Sequence, residues 1–261
     1  RRSLISDAAS MELRPGNVAG RKAGFPPVVP QGGPERSATA GGGEPTMARA
    51  PDLGRGPAEE GPSLTGDTCH LDVVDRWGNM VSATPSGGWL QSSPVVPALG
   101  FPLGTRMQMF WLQPGLASSL RPGRRPRTTL TPSMAFRQGR PYLSFGTPGG
   151  DQQDQWSLLL WLYHRHCGLP LQAAIETPAF HTDHMLASFW PREAALGTLT
   201  VEGRYPLETV QALRQRGHRV TVGGDWSEGR LSACAYDRSA GDPIIRAAAN
   251  PRGMQGYAVA R

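Results

Sequence analysis

The chain changes character at one point, and that point limits what it can fold into. Between residues 19 and 64, Gly20, Gly24, Pro26, Pro27, Pro30, Gly32, Gly33, Pro34, Gly41, Gly42, Gly43 and Pro45 interrupt every apolar period. Such a stretch cannot bury enough apolar surface to offset its conformational entropy, and a structureless loop of this length is unusual inside a compact domain. It is expected to be a flexible linker. At Thr68 strand-like alternation begins abruptly. The expected organisation is therefore a leading segment over 1–18, a linker over 19–67 and one folded unit over 68–261. The leading segment has modest helical character around Leu4, Ile5, Ala8, Met11 and Leu13. The overall counts, 33 glycines and 25 prolines against 38% hydrophobic residues, fit a chain that is only partly packed.

Within the folded unit the spacing predicts a strand over 69–75, a turn at Trp77-Gly78-Asn79 and a return strand over 80–84. A second pair is expected at 133–137 and 141–145 around Gln138-Gly139. Helices follow over 153–166, where Trp156, Leu158, Leu159, Leu160 and Leu162 supply the apolar residues, and over 171–177. Further on, a strand at 198–201, a helix at 206–215 and strands at 218–222, 232–236 and 244–248 complete an α+β pattern of layered sheet and helix.

The formal charge is +6, carried almost wholly by arginine, with Lys22 as the single lysine. Only Arg121, Arg124, Arg125 and Arg127 cluster. They sit among prolines without interleaved aromatics, so nucleic acid is not expected as a partner. No apolar run approaches the roughly 18–20 residues that cross a bilayer, and no membrane partner is expected. Cys69, Cys167 and Cys234 show neither disulfide nor zinc spacing and are expected to act as small core residues. The first residue is Arg rather than Met, so the sequence reads as a piece of a longer product. Its compartment is left open between cytoplasm and periplasm or exterior.

The residues that carry chemistry start where the linker stops. The order Gly66-Asp67-Thr68-Cys69-His70 puts a threonine at the head of a strand, directly after a segment able to move away. A hydroxyl needs a base to act as a nucleophile. An N-terminal threonine has one in its own α-amine, whose unperturbed pKa is near 8. Cleavage between Asp67 and Thr68, by attack of the Thr68 hydroxyl on the Asp67 carbonyl, would create that amine. Further along, Gly146-Thr147-Pro148-Gly149-Gly150 precedes a helix. Successive glycine N–H groups at such a place form an anion-binding hollow. Arg125-Pro126-Arg127-Thr128-Thr129-Leu130-Thr131-Pro132 is a proline-bounded loop rich in hydroxyl donors.

These three segments resemble, in the same order, the small subunit of the γ-glutamyltransferases. The pattern Thr-Thr-His-x-x-x-x-Asp-x-x-Gly-Asn-x-Val-x-x-Thr is matched by Thr68, His70, Asp75, Gly78, Asn79, Val81 and Thr84, over a resemblance that spans about 68–261. Pro178-Ala179-Phe180-His181 and Ala248-Ala249-Asn250-Pro251-Arg252 look like further landmarks. The resemblance implies an N-terminal-nucleophile hydrolase with a four-layer αββα sandwich, incomplete without a large subunit from the same precursor. In that reading residues 1–67 are the tail of the large subunit. Thr68 is the nucleophile, with Ser86 bonded to it where the family usually has threonine. Gly149 and Gly150 form the oxyanion hollow. Thr128 and Thr129 stand for the serines that bind the substrate α-carboxylate, and Thr84 and Gly88 fall in the substrate region. The substrate would be a small γ-glutamyl or other acyl amide, with no metal and no cofactor.

Two departures bear on the substrate. Met109 stands where the family has the aspartate that pairs with the substrate α-amino group, and Arg106 replaces what is often a neutral amide. Gly88 occupies the place of an asparagine. An ammonium facing Met109 and Arg106 would lose its counter-charge. An acidic acyl group held by Arg106 is the alternative, as in an acylase of the same fold acting on glutaryl-type amides. Rivals from other classes are a metal-dependent hydrolase using His164, His166, His181, Asp183 and His184, and an inactive remnant or binding module with an arginine surface.

Overall fold

The computed structural model describes residues 2–14, 16, 19, 20, 24, 26, 29, 30, 68–87, 93–189, 192–238, 241–252 and 256–259. Most of the expected linker, the cleavage residue Asp67 and Gly88 lie outside the described residues.

Among its described residues the leading segment, with its modest helical character, holds one 3-10 turn, Arg2–Leu4. It nevertheless docks on the folded unit. The Ala9 N–H donates to the Arg216 carbonyl at 2.7 Å, and His184 reaches the Glu12 carbonyl at 3.0 Å. Inside the expected linker, Val29–Pro30 pairs in parallel with Glu193–Ala194.

The expected hairpins form. Strands β1 (Leu71–Val74) and β2 (Met80–Ala83) pair antiparallel, with Asp72 opposite Ser82 and Val73 opposite Val81. Asp75 builds their turn, accepting N–H bonds from Trp77 and Asn79 at 2.9 Å each and the Asn79 side-chain amide at 2.7 Å. These bonds hold its carboxyl below the usual carboxylate range. Gly78 completes the turn at φ +86°, under the Tyr236 ring, where a Cβ would lie 2.6 Å from the Arg238 guanidinium. The Asp-x-x-Gly-Asn match is thus turn chemistry.

Strands β3 (Ser133–Arg137) and β4 (Arg140–Gly146) form the second hairpin, in which Gln138 adopts φ 51° and Gly139 φ 75°. The chain continues through α1 (Gln153–Arg165), α2 (Leu171–Glu176), β5 (Phe180–His181), β6 (Thr198–Val201), α3 (Leu207–Gln215), β7 (Arg219–Val222), β8 (Ser232–Asp237) and β9 (Ile244–Ala249). A four-stranded antiparallel sheet has the order β9-β8-β4-β3, and a three-stranded one the order β7-β6-β5. In the latter, β6 and β7 are parallel and joined by α3, the usual crossover unit. A small core of Leu199, Val201 and Val210 fills it.

Every residue of β4 from Tyr142 to Gly146 is buried, because both faces are covered. Helices α1 and α2 cover one. Trp156, Leu159, Leu160 and Tyr163 recur at helical spacing and pack with Leu143, Phe145, Ile175 and Leu231, while Leu158 points outward. The β1–β2 hairpin covers the other, fastened by Ser82 to the Phe145 carbonyl at 3.3 Å and Tyr236 to the Arg76 carbonyl at 3.0 Å. That hairpin is inverted for a soluble edge. Asp72 and Ser82 face the sheet, while Leu71, Val73 and Val81 are 45%, 53% and 53% exposed. The fold is therefore a mixed α and β layering of helices, sheet and hairpin, with an apolar outer face.

The two family-like landmarks meet in a buried ion network. Arg252, 2% exposed, donates to Glu202 at 2.6 and 3.0 Å and to the Ile175 carbonyl at 2.6 Å. Glu202 accepts in turn from the Ala179 and Glu228 N–H groups at 3.1 Å each. A buried carboxylate persists only when paired this completely.

Candidate active site at the head of the first hairpin

Thr68 lies three residues before β1, and Ser86 follows β2 at the same end of the hairpin. Antiparallel pairing brings the two hydroxyls to 2.7 Å, with the Cys69 N–H bonded to the Pro85 carbonyl at 3.2 Å holding the strand ends together. Thr68 lines a cavity of about 320 Å³, with Asp72, Pro148, Arg230, Ser232 and Asn250 among its other walls.

Behind Thr68 runs a buried chain of polar groups. His70 lies between Thr84, at 2.7 Å from Nδ1, and Asp72, at 2.9 Å from Nε2. The His70 and Asp72 side chains are each 1% exposed. Ser232 donates to the same Asp72 oxygen at 3.0 Å. The imidazole fits because Gly146 in β4 has no side chain: a Cβ there would lie closer than 3.0 Å to the ring. Burial, and then the Asp72 charge, push the Cys234 thiol up to about 11. Thr84 is buried and bonded to His70, so it supports the strand end that carries Thr68 from behind. His70 was visible in the sequence as part of the matched pattern. Asp72 carried no signal beyond its place two residues on, the period that puts both on one face of a strand.

The Gly149-Gly150 turn sits at the entry to α1, with φ values of 134° and 56° that only glycine adopts readily. Gly149 lies against the Trp156 indole, where a Cβ would approach closer than 3.0 Å. Pro148 shares the cavity with Thr68. Thr147, fully buried, donates to the Pro148 carbonyl at 2.7 Å and accepts the Arg230 N–H at 3.0 Å. Gln153 joins this turn to the threonine loop. With its amide nitrogen facing the two carbonyls, it donates to Thr147 at 3.0 Å and Thr129 at 3.3 Å and accepts the Gly150 N–H at 3.3 Å. Sequence reasoning did not single out Gln153, a polar residue in an apolar helix and fully buried.

Of the paired threonines, Thr129 is buried and Thr128 exposed, its hydroxyl accepting the Leu130 N–H at 3.1 Å. Neither lines the cavity with Thr68, nor does Arg106. Arg106 is half-buried in the 3-10 turn Thr105–Met109, and Met109 is completely buried.

The histidines considered for a metal go elsewhere. His164 bonds the Leu169 carbonyl at 2.8 Å, and His184 takes the Gly197 N–H at 3.0 Å. His181 is sandwiched between Glu228 and Asp183. No group of three or more potential metal ligands occurs among the described residues. Cys69 and Cys167 are exposed, contrary to expectation, because Cys69 stands before the strand β1 begins and Cys167 after the helix α1 has ended; Cys234 is buried. No helix among the described residues is long and apolar enough to cross a membrane.

A sequence profile of the gamma-glutamyltranspeptidase family matches residues 46–260. The glutathione hydrolase proenzyme of Bacillus subtilis (strain 168) is 32% identical over 157 residues, covering 60% of this chain and 25% of that protein. The acylase ACY 1 proenzyme of Pseudomonas sp. (strain SE83) is 31% identical over 192 residues, 68% of this chain and 32% of that protein. The solved structure of LmbA2991HD is similar over 100% of this chain and 41% of its own, with a TM-score of 0.80 at 53% identity. The chain thus spans 25% to 32% of the length of these two curated relatives.

Proposed function

The chain belongs to the γ-glutamyltranspeptidase family, and from that premise we propose that it is the catalytic part of an amide-cleaving enzyme whose nucleophile is Thr68. The observation that carries this reading is the 2.7 Å contact between the Thr68 and Ser86 hydroxyls at the wall of a cavity. Ser86 orients the attacking oxygen and shares its proton.

In the precursor the Thr68 oxygen bonds to the Asp67 carbonyl carbon. The C–N bond breaks, and the hydroxyl proton passes to the nitrogen. Water then opens the ester, leaving a carboxyl group on Asp67 and a free amine on Thr68. In turnover that amine takes the hydroxyl proton as the oxygen attacks the substrate amide. The oxyanion rests on the Gly149 and Gly150 N–H groups. A charge-assisted bond displaces the 3.3 Å contact between Gly150 and the neutral Gln153 amide. The Thr68 ammonium returns the hydroxyl proton to the substrate nitrogen as its C–N bond breaks and the substrate amine departs. Water or an acceptor amine then releases the acyl group from Thr68. These steps use side chains and backbone alone.

The apolar outer face of Leu71, Val73 and Val81 is where a large subunit from the same precursor would pack, completing a four-layer αββα sandwich. Residues 1–67 would belong to that subunit, and Thr128 and Thr129 would meet substrate in the assembled site.

A second reading, favoured by Met109, is an acylase. Fully buried and apolar, Met109 offers no counter-charge to an α-amino group, so the acyl group would carry an acid without that amine. Incubating the complete precursor with γ-glutamyl and glutaryl p-nitroanilides, then quenching and mapping the adduct by mass spectrometry, tests both. The expected result is an acyl group on the peptide beginning at Thr68, absent from Thr68→Ala. Undiminished turnover in Thr68→Ala overturns the proposal.

A further inference from the structure

Trp156 of α1 takes no part in the steps above, yet it touches the segment they depend on. It is 2% exposed. A Cβ on Gly149 would approach the benzo end of its indole, at Cζ3, closer than 3.0 Å. A Cβ on Gly229 would lie 3.3 Å from the other end, at Cγ and Cδ2. Both glycines stand at positive φ, 134° and 78°, where other residues are strained. The indole is thus seated between two stretches of backbone that carry no side chain where it meets them.

Those stretches are tied to each other and to the helix. Thr147, two residues before Gly149, accepts the N–H of Arg230, next to Gly229, at 3.0 Å. The Gln152 N–H donates to the Gly149 carbonyl at 3.1 Å. His181, itself held by Glu228 and Asp183, meets the indole edge-on, with ring centroids 6.0 Å apart and planes at 88°. The indole gains nothing from its own polar atom, because Nε1 has no hydrogen-bond partner among the described residues. An unpaired buried N–H lowers stability, so the core alone would be served as well by an apolar side chain. What a shorter side chain cannot do is span from Gly229 to Gly149.

We propose that Trp156 is the positioning residue of the oxyanion hollow. Its indole, seated between Gly149 and Gly229, fixes the left-handed turn from which the Gly149 and Gly150 N–H groups meet the oxyanion. Such a hollow acts by being in place before the charge develops, and a displacement of about 1 Å costs about 100-fold in rate. Ground-state binding of the substrate does not draw on it. The proposal rests on the reading of Thr68 as nucleophile and of the glycine turn as its hollow.

The test uses the complete protein, assayed on whichever of γ-glutamyl and glutaryl p-nitroanilide it cleaves faster, with rates referred to the folded, self-cleaved fraction. Trp156→Phe shortens the ring and is expected to lower kcat about 100-fold, with KM within about threefold of wild type. Gly229→Ala presses a methyl group on the opposite end of the indole and leaves the hollow's own residues unchanged. It is expected to lower kcat in the same way. Leu160→Ala, fully buried on the same helix, controls for loss of packing. It is expected to lower the melting temperature more than Trp156→Phe does, while kcat stays within about twofold. A kcat for Trp156→Phe within about threefold of wild type overturns the proposal. So does a loss borne by KM alone, or one that Leu160→Ala shares. Undiminished turnover in Thr68→Ala removes the nucleophile, and the proposal with it. An inactive Thr68→Ala beside a kcat that follows Trp156 and Gly229 supports both.

Discussion

His70 Nε2 and Asp72 Oδ2 lie 2.9 Å apart with both side chains 1% exposed, directly behind the strand end that presents Thr68. The Asp72 Oδ2 accepts from both His70 and Ser232, while its Oδ1 has no partner among the described residues. Removing the carboxyl leaves the buried His70 ring and the half-buried Ser232 without their acceptor.

Asp72→Ala is therefore expected to destabilise the folded unit by about 3 kcal/mol, and Asp72→Asn by about 1 kcal/mol. Urea denaturation followed by tryptophan fluorescence measures both. The exposed Asp242→Ala serves as the reference, expected within about 0.5 kcal/mol of wild type. A cost for Asp72→Ala no larger than that reference would contradict the buried pair.

Gly146 is the floor on which His70 rests. Gly146→Ala forces its Cβ against the imidazole and is expected to cost about 1–3 kcal/mol. Gly224→Ala, where a Cβ meets nothing within 4 Å, is expected within about 0.5 kcal/mol of neutral. The same denaturation series compares them.

His181 makes stability depend on pH. Burial alone would lower its pKa, but the carboxylates of Asp183 and Glu228 raise it from 6.5 to about 9. A raised pKa means that the folded state holds the proton more tightly. The contribution is complete below about pH 6.5 and is lost as pH rises through 9, up to about 3 kcal/mol. Burial opposes the ionised form of Asp183, yet the bond to His181 and its charge hold the pKa below the ordinary value. Its contribution is therefore present at neutral pH and lost as pH falls through that lowered pKa. The melting temperature of wild type minus that of His181→Gln should be constant near pH 6 and shrink towards pH 9. A difference that grows with pH would contradict the assignment.

Much of this was legible in the sequence. The two hairpins and three helices fall within one or two residues of where alternation and helical spacing put them, because their apolar faces are continuous. Thr68 and Ser86, singled out through the resemblance, lie with their hydroxyls 2.7 Å apart. What stayed hidden was contact between elements distant along the chain. Arg230 and Asn250 reach the cavity through strand pairings of β8 with β4 and β9, which no local pattern announces. Gln153 looked like one more polar residue at a helix start, yet it ties Thr129 to Gly150. The exposure of Cys69 was missed because strand alternation was extended past the point where β1 begins.

Ser86→Ala removes the partner of the attacking oxygen. It is expected to slow self-cleavage of the precursor about 100-fold, while Ser86→Thr keeps the hydroxyl and the rate within about tenfold. A time course by gel electrophoresis reads both. Cleavage of Ser86→Ala at the wild-type rate would remove Ser86 from the chemistry.

The most direct test is the intact mass of the complete gene product after purification. The account predicts two fragments whose masses place the break between Asp67 and Thr68, and a single uncut chain for Thr68→Ala. A wild-type protein that stays uncut and still cleaves an acyl amide would contradict it.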